Sequence, residues 1–180
     1  MVRLFVAIDL PGDIRERLRS PQEHLRRSSA RLNIVDPEII HMTLKFIGEV
    51  DKEIVGKIIS VLSRVTFSPY TLQITGIGSN NPRQPRVIWC EISDGGASAA
   101  LHAKVEEALL PLGIARDDRS FRPHATLARV KQSDPSLPDW IRAIPPGDFG
   151  ICTVKDFRLK KSTLTPLGPV YETILEVPAS

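Results

Sequence analysis

The sequence predicts an α+β fold of two pseudo-symmetric lobes, each an antiparallel sheet with helices on its outer face, with an active groove between them. Three observations support this prediction. Strand-like segments alternate with segments of helical periodicity along the 180 residues; the order of segments repeats once; and each repeat carries the same short histidine motif. We expect one two-lobed domain over residues 1–180, formed by duplication, with repeats at roughly 1–85 and 86–180.

The first repeat begins with a strand and a helix. Residues 2–9 are mainly β-branched, leucine or aromatic, which is typical of a buried strand. A helix opens at residues 11–13, with apolar positions at helical spacing, and Pro21 bends or splits it because proline disrupts helix interiors. The remaining predicted elements are a strand at 40–47, a helix at 51–65 and a strand at 70–77.

The second repeat follows the turn-rich residues 78–85. Its predicted elements are strands at 86–92, 123–130, 153–161 and 170–177, a helix at 96–111 and a short, proline-interrupted helix at 134–144. A shift of 83 residues moves the strand that starts at Arg3 onto the strand that starts at Arg86. Because the same shift aligns several elements without a large gap, we interpret the pattern as an internal duplication.

The composition predicts an ordinary globular protein. A chain of this size buries enough surface to fold without disulfides or metals. The net charge of +3 permits an anionic partner but is far from that of a dedicated nucleic-acid binder. Cys90 and Cys152 match no metal-binding spacing, and no apolar segment approaches the ~20 residues of a membrane span. We therefore expect a cytoplasmic protein with no membrane partner.

The clearest functional signal is a motif that occurs twice, as His41-Met42-Thr43-Leu44 and His124-Ala125-Thr126-Leu127. The chain has only 4 histidines, so two such coincidences are improbable by chance. On a strand, residues i and i+2 share a face, which places each threonine hydroxyl beside its histidine. The intervening Met42 and Ala125 point to the opposite face and anchor each strand in the core.

Two imidazoles facing one groove are suited to acid–base chemistry. Imidazole titrates near neutrality, so one ring can accept a proton while the other donates one. Displacement at phosphorus needs a base on the attacking side and an acid on the leaving side, and the threonine hydroxyls can bind the non-bridging oxygens. A cyclic phosphodiester is a suitable substrate for this set of histidine and threonine side chains. No carboxylate or His/Cys cluster with metal-ligand spacing accompanies the histidines, so we expect neither a metal nor a cofactor.

The paired motif resembles that of the 2H phosphoesterase superfamily. Three flanking segments narrow the resemblance to its RNA 2′,3′-cyclic phosphodiesterase branch, also called 2′–5′ RNA ligase: residues 3–11, 41–50 and 121–130. The C-terminal residues 164–171 fit as well. The resemblance covers nearly the whole chain.

This resemblance implies a role for each matching residue. His41 would be the acid that protonates the departing 3′-oxygen, and His124 the base that activates water, giving a 2′-phosphate. Thr43 and Thr126 would bind the phosphate, and Arg129 would lie near the substrate. The partner would be RNA with a 2′,3′-cyclic phosphate end, such as a tRNA fragment, and the chain would act as a monomer. The reverse reaction would join RNA ends by a 2′–5′ linkage without ATP.

Four further positions are candidates for substrate binding. Arg122 lies two residues before His124 and could face the groove, unless Pro123 turns it away. Lys45 shares a predicted face with Thr43, which places it in the groove or on its wet rim. Phe5 could stack on a base or fill the core. Arg129 falls on the core face if its strand is regular, in conflict with the implied role, and a bulge would remove the conflict.

Two other functions remain open. The same groove could act on small nucleotides, such as an ADP-ribose cyclic phosphate. The chain could also be an RNA-binding module without turnover. Assays with both kinds of cyclic phosphate separate these alternatives.

Overall fold

The computed structural model describes residues 1–180 and contains one antiparallel sheet of nine strands. The strands are β1 Val2–Asp9, β2 Arg31–Ile34, β3 His41–Val50, β4 Tyr70–Ser79, β5 Val87–Ser93, β6 His124–Gln132, β7 Ile151–Val154, β8 Asp156–Thr165 and β9 Gly168–Pro178. Their order in the sheet is β7-β4-β5-β6-β3-β1-β8-β9, and β2 pairs with β6 beside this path. The predicted strands are present, except that the one predicted at 153–161 is divided into β7 and β8, and β2 is an addition that we did not predict.

Five α-helices connect the strands. They are α1 Gly12–Arg17, α2 Arg19–Arg26, α3 Lys52–Leu62, α4 Ala97–Leu109 and α5 Leu137–Arg142, and short 3₁₀ helices span Pro37–Ile39 and Leu110–Leu112. The first predicted helix is split at Leu18, as expected. Pro21 lies in the first turn of α2, where the missing N–H leaves no helical hydrogen bond unmade. No helix is long and apolar enough to cross a membrane.

The sheet curls on itself. Strands β7 and β8 are separated by a single residue, Lys155, although they lie near opposite ends of the strand order. The short connection requires the two ends of the sheet to approach each other, so the sheet forms a half-barrel. The predicted single strand at 153–161 is therefore two strands that belong to different halves of the sheet.

The two halves of the sheet meet between β3 and β6. One half contains β3, β1 and β8, and the other contains β6, β5 and β4 in the matching order. The predicted α+β fold of two antiparallel, pseudo-symmetric lobes is confirmed. Each lobe combines strands from both parts of the sequence, because β8 joins β1 and β4 joins β5. This order agrees with an internal duplication, which stays a prediction.

The core lies on the sheet face that the helices cover. A cluster of 28 buried residues joins strand residues such as Met42, Leu44 and Leu127 to Ile58 of α3 and Val105 of α4. A smaller cluster packs α2 and α5 against β5 and β6. Because Met42, Ala125 and Leu127 point into the core, the residues that alternate with them face the opposite side of the sheet.

The strands β3 and β6 carry the same β-bulge. In β3, Lys45 pairs with Val6 and Thr43 with Ala7, so Leu44 has no partner in the register. In β6, Leu127 is passed over in the same way between Ala128 and Thr126. Each bulge buries two successive residues and returns the next one to the opposite face. The returned residues are Phe46 and Arg129, and both are exposed.

Candidate active site

The face opposite the core contains a cavity of about 670 Å³ at the junction of the two halves. Strands β3 and β6 pair there only at Met42 and Ala125, so they separate on either side of this pair. The four residues of the paired motif, His41, Thr43, His124 and Thr126, all line the cavity. The structure therefore brings together the four side chains that the sequence singled out.

Both histidines are oriented by the same local hydrogen bond. The Nδ1 atom of His41 lies 2.8 Å from the carbonyl oxygen of Ile39, and that of His124 lies 2.7 Å from the carbonyl oxygen of Arg122. A carbonyl oxygen can only accept, so Nδ1 carries the proton in each ring. In the neutral rings Nε2 is consequently the proton acceptor. In His41, Nε2 lies 3.1 Å from the Thr43 hydroxyl oxygen, which can donate to it.

An aromatic ring from the neighbouring strand supports each imidazole. Phe5 on β1 packs against His41 with ring centroids 5.0 Å apart, and Trp89 on β5 packs against His124 at 4.3 Å. Tyr171 on β9 also meets His41 edge-on, at 5.4 Å. Phe5 is buried at the edge of the cavity and packs against His41. Of its two predicted roles, filling the core therefore fits better than stacking on a base.

The pKa of His41 is lowered from its ordinary value. Burial is the main cause because it disfavours the charged ring. The cations Lys160 and Arg129 lower this pKa further, whereas the Ile39 carbonyl and the Asp9 carboxylate raise it. Asp9 is the cross-strand partner of His41 and forms ion pairs with Arg158 and Lys160.

The pKa of His124 is also lowered, again mainly by burial. The hydrogen bond to the Arg122 carbonyl raises it, while the charges of Arg122 and Arg129 lower it. Its cross-strand partner Glu91 is engaged by Arg122 at 2.9 Å. The two rings therefore have similar packing but different charged neighbours. The Asp9 carboxylate acts on the pKa of His41, and no carboxylate acts on that of His124 in the same way.

Arg129 lines the cavity, as its implied role requires. Regular alternation would place it on the core face, but the bulge at Leu127 shifts it by one position. Its guanidinium forms no ion pair with a carboxylate of the protein, and its charge acts on both histidines. Arg129 is therefore free to bind an anion between the two rings.

Lys45 does not line the cavity, so its predicted place in the groove is wrong. The bulge in β3 turns it to the core side, where its side chain is 2% exposed. Its ammonium lies 2.7 Å from a Glu106 carboxylate oxygen and 2.6 Å from an Asp117 carboxylate oxygen. His102, Glu106 and Asp117 lie close enough together to ligate a cation, but Lys45 already supplies the positive charge there.

Arg122 is also outside the cavity lining. Its guanidinium pairs with Glu91 and lies 5.5 Å from the Trp89 ring centroid, so it covers the aromatic ring behind His124. Its carbonyl, rather than its side chain, contacts a motif histidine. The predicted phosphate contact is therefore wrong for the Arg122 side chain, which pairs with Glu91 outside the cavity lining.

Several lining residues were not found from the sequence. They are Arg3 and Phe46, Tyr171 and Leu167 of the β8–β9 hairpin, and residues 33–36, which form the end of the unpredicted strand β2 and the two residues after it. The alternation of residues 31–34 was a signal for β2, but four residues without a repeat partner are too few to recognise. Regular alternation along β3 would place Phe46 on the core face, and the bulge that moves Lys45 to that face moves Phe46 to the cavity face.

Comparison with known proteins decides the family. The profile described as LigT like Phosphoesterase matches residues 8–89 and 93–171, which is most of the chain. The chain belongs to the LigT-like phosphoesterase family. Among relatives of this phosphoesterase, the RNA 2′,3′-cyclic phosphodiesterase of Archaeoglobus fulgidus is 40% identical over 96% of this chain and 98% of its own length. The protein of the same name from Methanocaldococcus jannaschii is 36% identical, over 97% and 99%.

Solved structures of the family share the architecture of this phosphoesterase. Escherichia coli LigT complexed with 3′-AMP superposes with a TM-score of 0.83 at 26% identity, covering 99% of this chain and 98% of that one. TT0787 of Thermus thermophilus gives 0.82 at 30% identity, covering 98% and 97%. The half-barrel thus belongs to the fold of these known proteins.

Proposed function

We propose that this LigT-like phosphoesterase opens RNA 2′,3′-cyclic phosphate ends to 2′-phosphates by acid–base catalysis with His41 and His124, without a metal or a cofactor. One observation carries the proposal: both histidines line a single cavity, and a backbone carbonyl holds Nδ1 of each ring, which leaves Nε2 as the atom for proton transfer. The relatives named as RNA 2′,3′-cyclic phosphodiesterases support the substrate class.

The reaction places the phosphorus between the two rings. Nε2 of neutral His124 accepts a proton from water as the water oxygen bonds to phosphorus, and the bond from phosphorus to the 3′-oxygen breaks. Nε2–H of protonated His41 delivers a proton to that leaving oxygen. The phosphate stays on the 2′-oxygen, and the imidazoles end with their protonation states exchanged. Base and acid on opposite sides of phosphorus are what an in-line displacement requires.

The assignment of His41 as the acid and His124 as the base follows the family resemblance, and one charged neighbour agrees with it. The Lys160 and Arg129 charges lower the pKa of His41, whereas Asp9 raises it by stabilising the protonated ring, which suits a proton donor. The charges of Arg122 and Arg129 favour neutral His124, which suits a proton acceptor. The two copies of the motif are alike in sequence, so the assignment of the two roles rests on the family resemblance.

The threonines and Arg129 bind the phosphate. Hydroxyls of Thr43 and Thr126 can donate to its non-bridging oxygens, and the Arg129 guanidinium can add a charge-assisted hydrogen bond. The strained five-membered ring makes the 3′-oxygen a good leaving group, so these residues suffice without a Lewis acid. With a 5′-hydroxyl in place of water as the nucleophile, the same steps join RNA ends by a 2′–5′ linkage without ATP.

Three finer expectations stay predictions: that the RNA is a tRNA fragment, that the chain acts as a monomer, and that it works in the cytoplasm. The cavity, at about 670 Å³, is in the ~300–1,000 Å³ range of small-ligand sites, so it can hold more than a phosphate group.

The proposal is tested by assaying one preparation on an RNA oligonucleotide with a 2′,3′-cyclic phosphate end and on an ADP-ribose cyclic phosphate. We expect a higher kcat/KM for the RNA end. A clear preference for the small nucleotide would overturn the RNA assignment. Absence of turnover on any cyclic phosphate, together with retained RNA binding, would make the chain a binding module instead.

A further inference from the structure

The two bulges place chemically different residues at equivalent positions. In β6 the residue returned to the cavity is Arg129, and in β3 it is Phe46. Phe46 is 50% exposed, which is unusual for an aromatic side chain on a central strand. The cavity therefore has one end with a free cation near the histidines and a second end with an exposed aromatic ring.

A second arginine lies on this aromatic ring. The guanidinium carbon of Arg3 is 5.0 Å from the Phe46 ring centroid. Stacking on an aromatic face holds a guanidinium in place while leaving the N–H donors on its edge free. Arg3 also lines the cavity, so these donors lie in the same space as the motif histidines.

Arg3 has no carboxylate partner. Its cross-strand neighbour Glu49 forms no ion pair with it. The arginines of the first two helices behave differently, because Arg15, Arg17, Arg19 and Arg26 each pair with an acidic side chain. Asp36 is the one acidic residue in the cavity lining, and it caps the Glu38 amide with its carboxylate. Arg3 and Arg129 are thus two unneutralised cations in one groove.

The position of Arg3 along β1 places it a short way from the proposed reaction centre. Arg3 lies two residues from Phe5 on β1, which corresponds to about 7 Å along the strand. Phe5 in turn packs against His41. A long arginine side chain from this position reaches the zone one nucleotide away from a phosphorus held between the histidines.

We propose that the Arg3–Phe46 pair is a subsite for the phosphate on the 5′-oxygen of the terminal nucleotide, the group that links it to the rest of an RNA chain. This inference rests on the proposed function and specifies its substrate. Arg3 is the specificity-determining residue that binds the phosphate, and Phe46 is a positioning residue that orients the guanidinium. The subsite favours RNA ends over nucleoside cyclic phosphates, which lack this group.

Three substrates with the same reacting ring test the subsite: adenosine 2′,3′-cyclic phosphate, the same compound with a 5′-phosphate, and a dinucleotide with a 2′,3′-cyclic phosphate end. For Arg3→Gln we expect KM to rise about tenfold to a hundredfold on the second and third substrates, with kcat nearly unchanged. On the first substrate we expect no change. Phe46→Leu should raise KM about two- to fivefold on the same two substrates.

Two matched variants complete the experiment. Arg64→Gln removes an exposed arginine charge outside the cavity and should leave all three KM values unchanged. Arg3→Lys keeps the charge but loses the stacked fork, and it should fall between wild type and Arg3→Gln. Thermal melts identify any variant that is misfolded.

The inference is overturned if Arg3→Gln changes KM equally on all three substrates, changes none, or changes only the dinucleotide. The proposed function fails separately, since its failure is the absence of turnover by the wild-type protein on all three substrates.

Discussion

Met42 pairs with Ala125 at the single registered contact between β3 and β6, and each of these residues lies between a histidine and a threonine of the paired motif. Both apolar side chains point into the core, so all four polar neighbours point the other way. The separation of the strands beyond this pair opens the cavity. One cross-strand pair therefore determines where the proposed acid and base meet.

Replacing either histidine by alanine should reduce kcat on a cyclic RNA end by about 10²–10⁴-fold, because each ring carries one of the two proton transfers. The double variant should lose little more than the poorer single variant, since the two steps belong to one displacement. Steady-state kinetics with circular dichroism as a folding control measures this. Near-wild-type rates in either single variant would exclude the scheme.

The pH profiles should show the lowered pKa values of both histidines. Catalysis needs His124 neutral and His41 protonated, so both limbs of the kcat/KM profile should lie on the acid side of 6.5, the ordinary histidine value. A bound anionic phosphate favours protonated His41, so the alkaline limb of kcat should lie at higher pH than that of kcat/KM. Equal alkaline limbs in both profiles would contradict this account.

Arg129→Met should act on both affinity and titration. Loss of the guanidinium removes a phosphate contact and should lower kcat/KM about tenfold to a hundredfold. Because the Arg129 charge lowers the pKa of both histidines, its removal should shift both limbs of the kcat/KM profile to higher pH. Arg64→Met is the matched control. A lower rate with an unshifted pH profile would contradict the predicted effect of the Arg129 charge on the pKa values of the two histidines.

Lys45→Met should destabilise the fold by about 3–5 kcal/mol, because it leaves the Glu106 carboxylate buried without its cation. Burial alone would raise the pKa of Glu106 and lower that of Lys45. The hydrogen bond from Lys45 instead lowers the pKa of Glu106, and hydrogen bonds to Asp117 and then Glu106 raise that of Lys45. The stabilisation is therefore complete between about pH 4.3 and 10.4, and it is lost as pH falls through the lowered pKa or rises through the raised one.

Denaturant unfolding of Lys45→Met and of Lys45→Met/Glu106→Gln checks this prediction. The second change removes the buried charge and should restore part of the lost free energy of unfolding. If Lys45→Met were as stable as the wild type, the ion pair between Lys45 and Glu106 would not contribute to the free energy of unfolding as predicted.

Activity should survive incubation with EDTA, because the mechanism assigns every proton transfer and every phosphate contact to a side chain. The same assay repeated after addition of Mg²⁺ provides the comparison. Strong inhibition by the chelator, reversed by the metal, would require a different mechanism.

The sequence predicted which motif side chains share the cavity face, because that placement depends on a local rule. Alternation along a strand puts His41 with Thr43 and His124 with Thr126, and this rule holds wherever the strand is regular. Helical and strand periodicity likewise predicted the elements that fill the core. The same rule failed one residue later, at the bulges, where it placed Lys45 in the groove and Arg129 in the core.

A bulge is determined by tertiary packing, so a single sequence carries little signal for it. Leu44 and Lys45 read as one apolar and one polar position, but the Glu106 carboxylate, brought close by folding, allows the lysine to be buried. The exposed Phe46 was missed for the same reason. The conflict between the regular pattern and the implied role of Arg129 was the one sequence-level indication that a bulge was present.

Hydrolysis of a 2′,3′-cyclic phosphate RNA end in H₂¹⁸O tests the central claim most directly, because it reports where water attacks and which oxygen leaves. Water activated by His124 and a 3′-oxygen protonated by His41 predict a product with only a 2′-phosphate that carries one ¹⁸O atom. A 3′-phosphate product, or a mixture of both isomers, would contradict the assignment of His41 as the acid that protonates the departing 3′-oxygen.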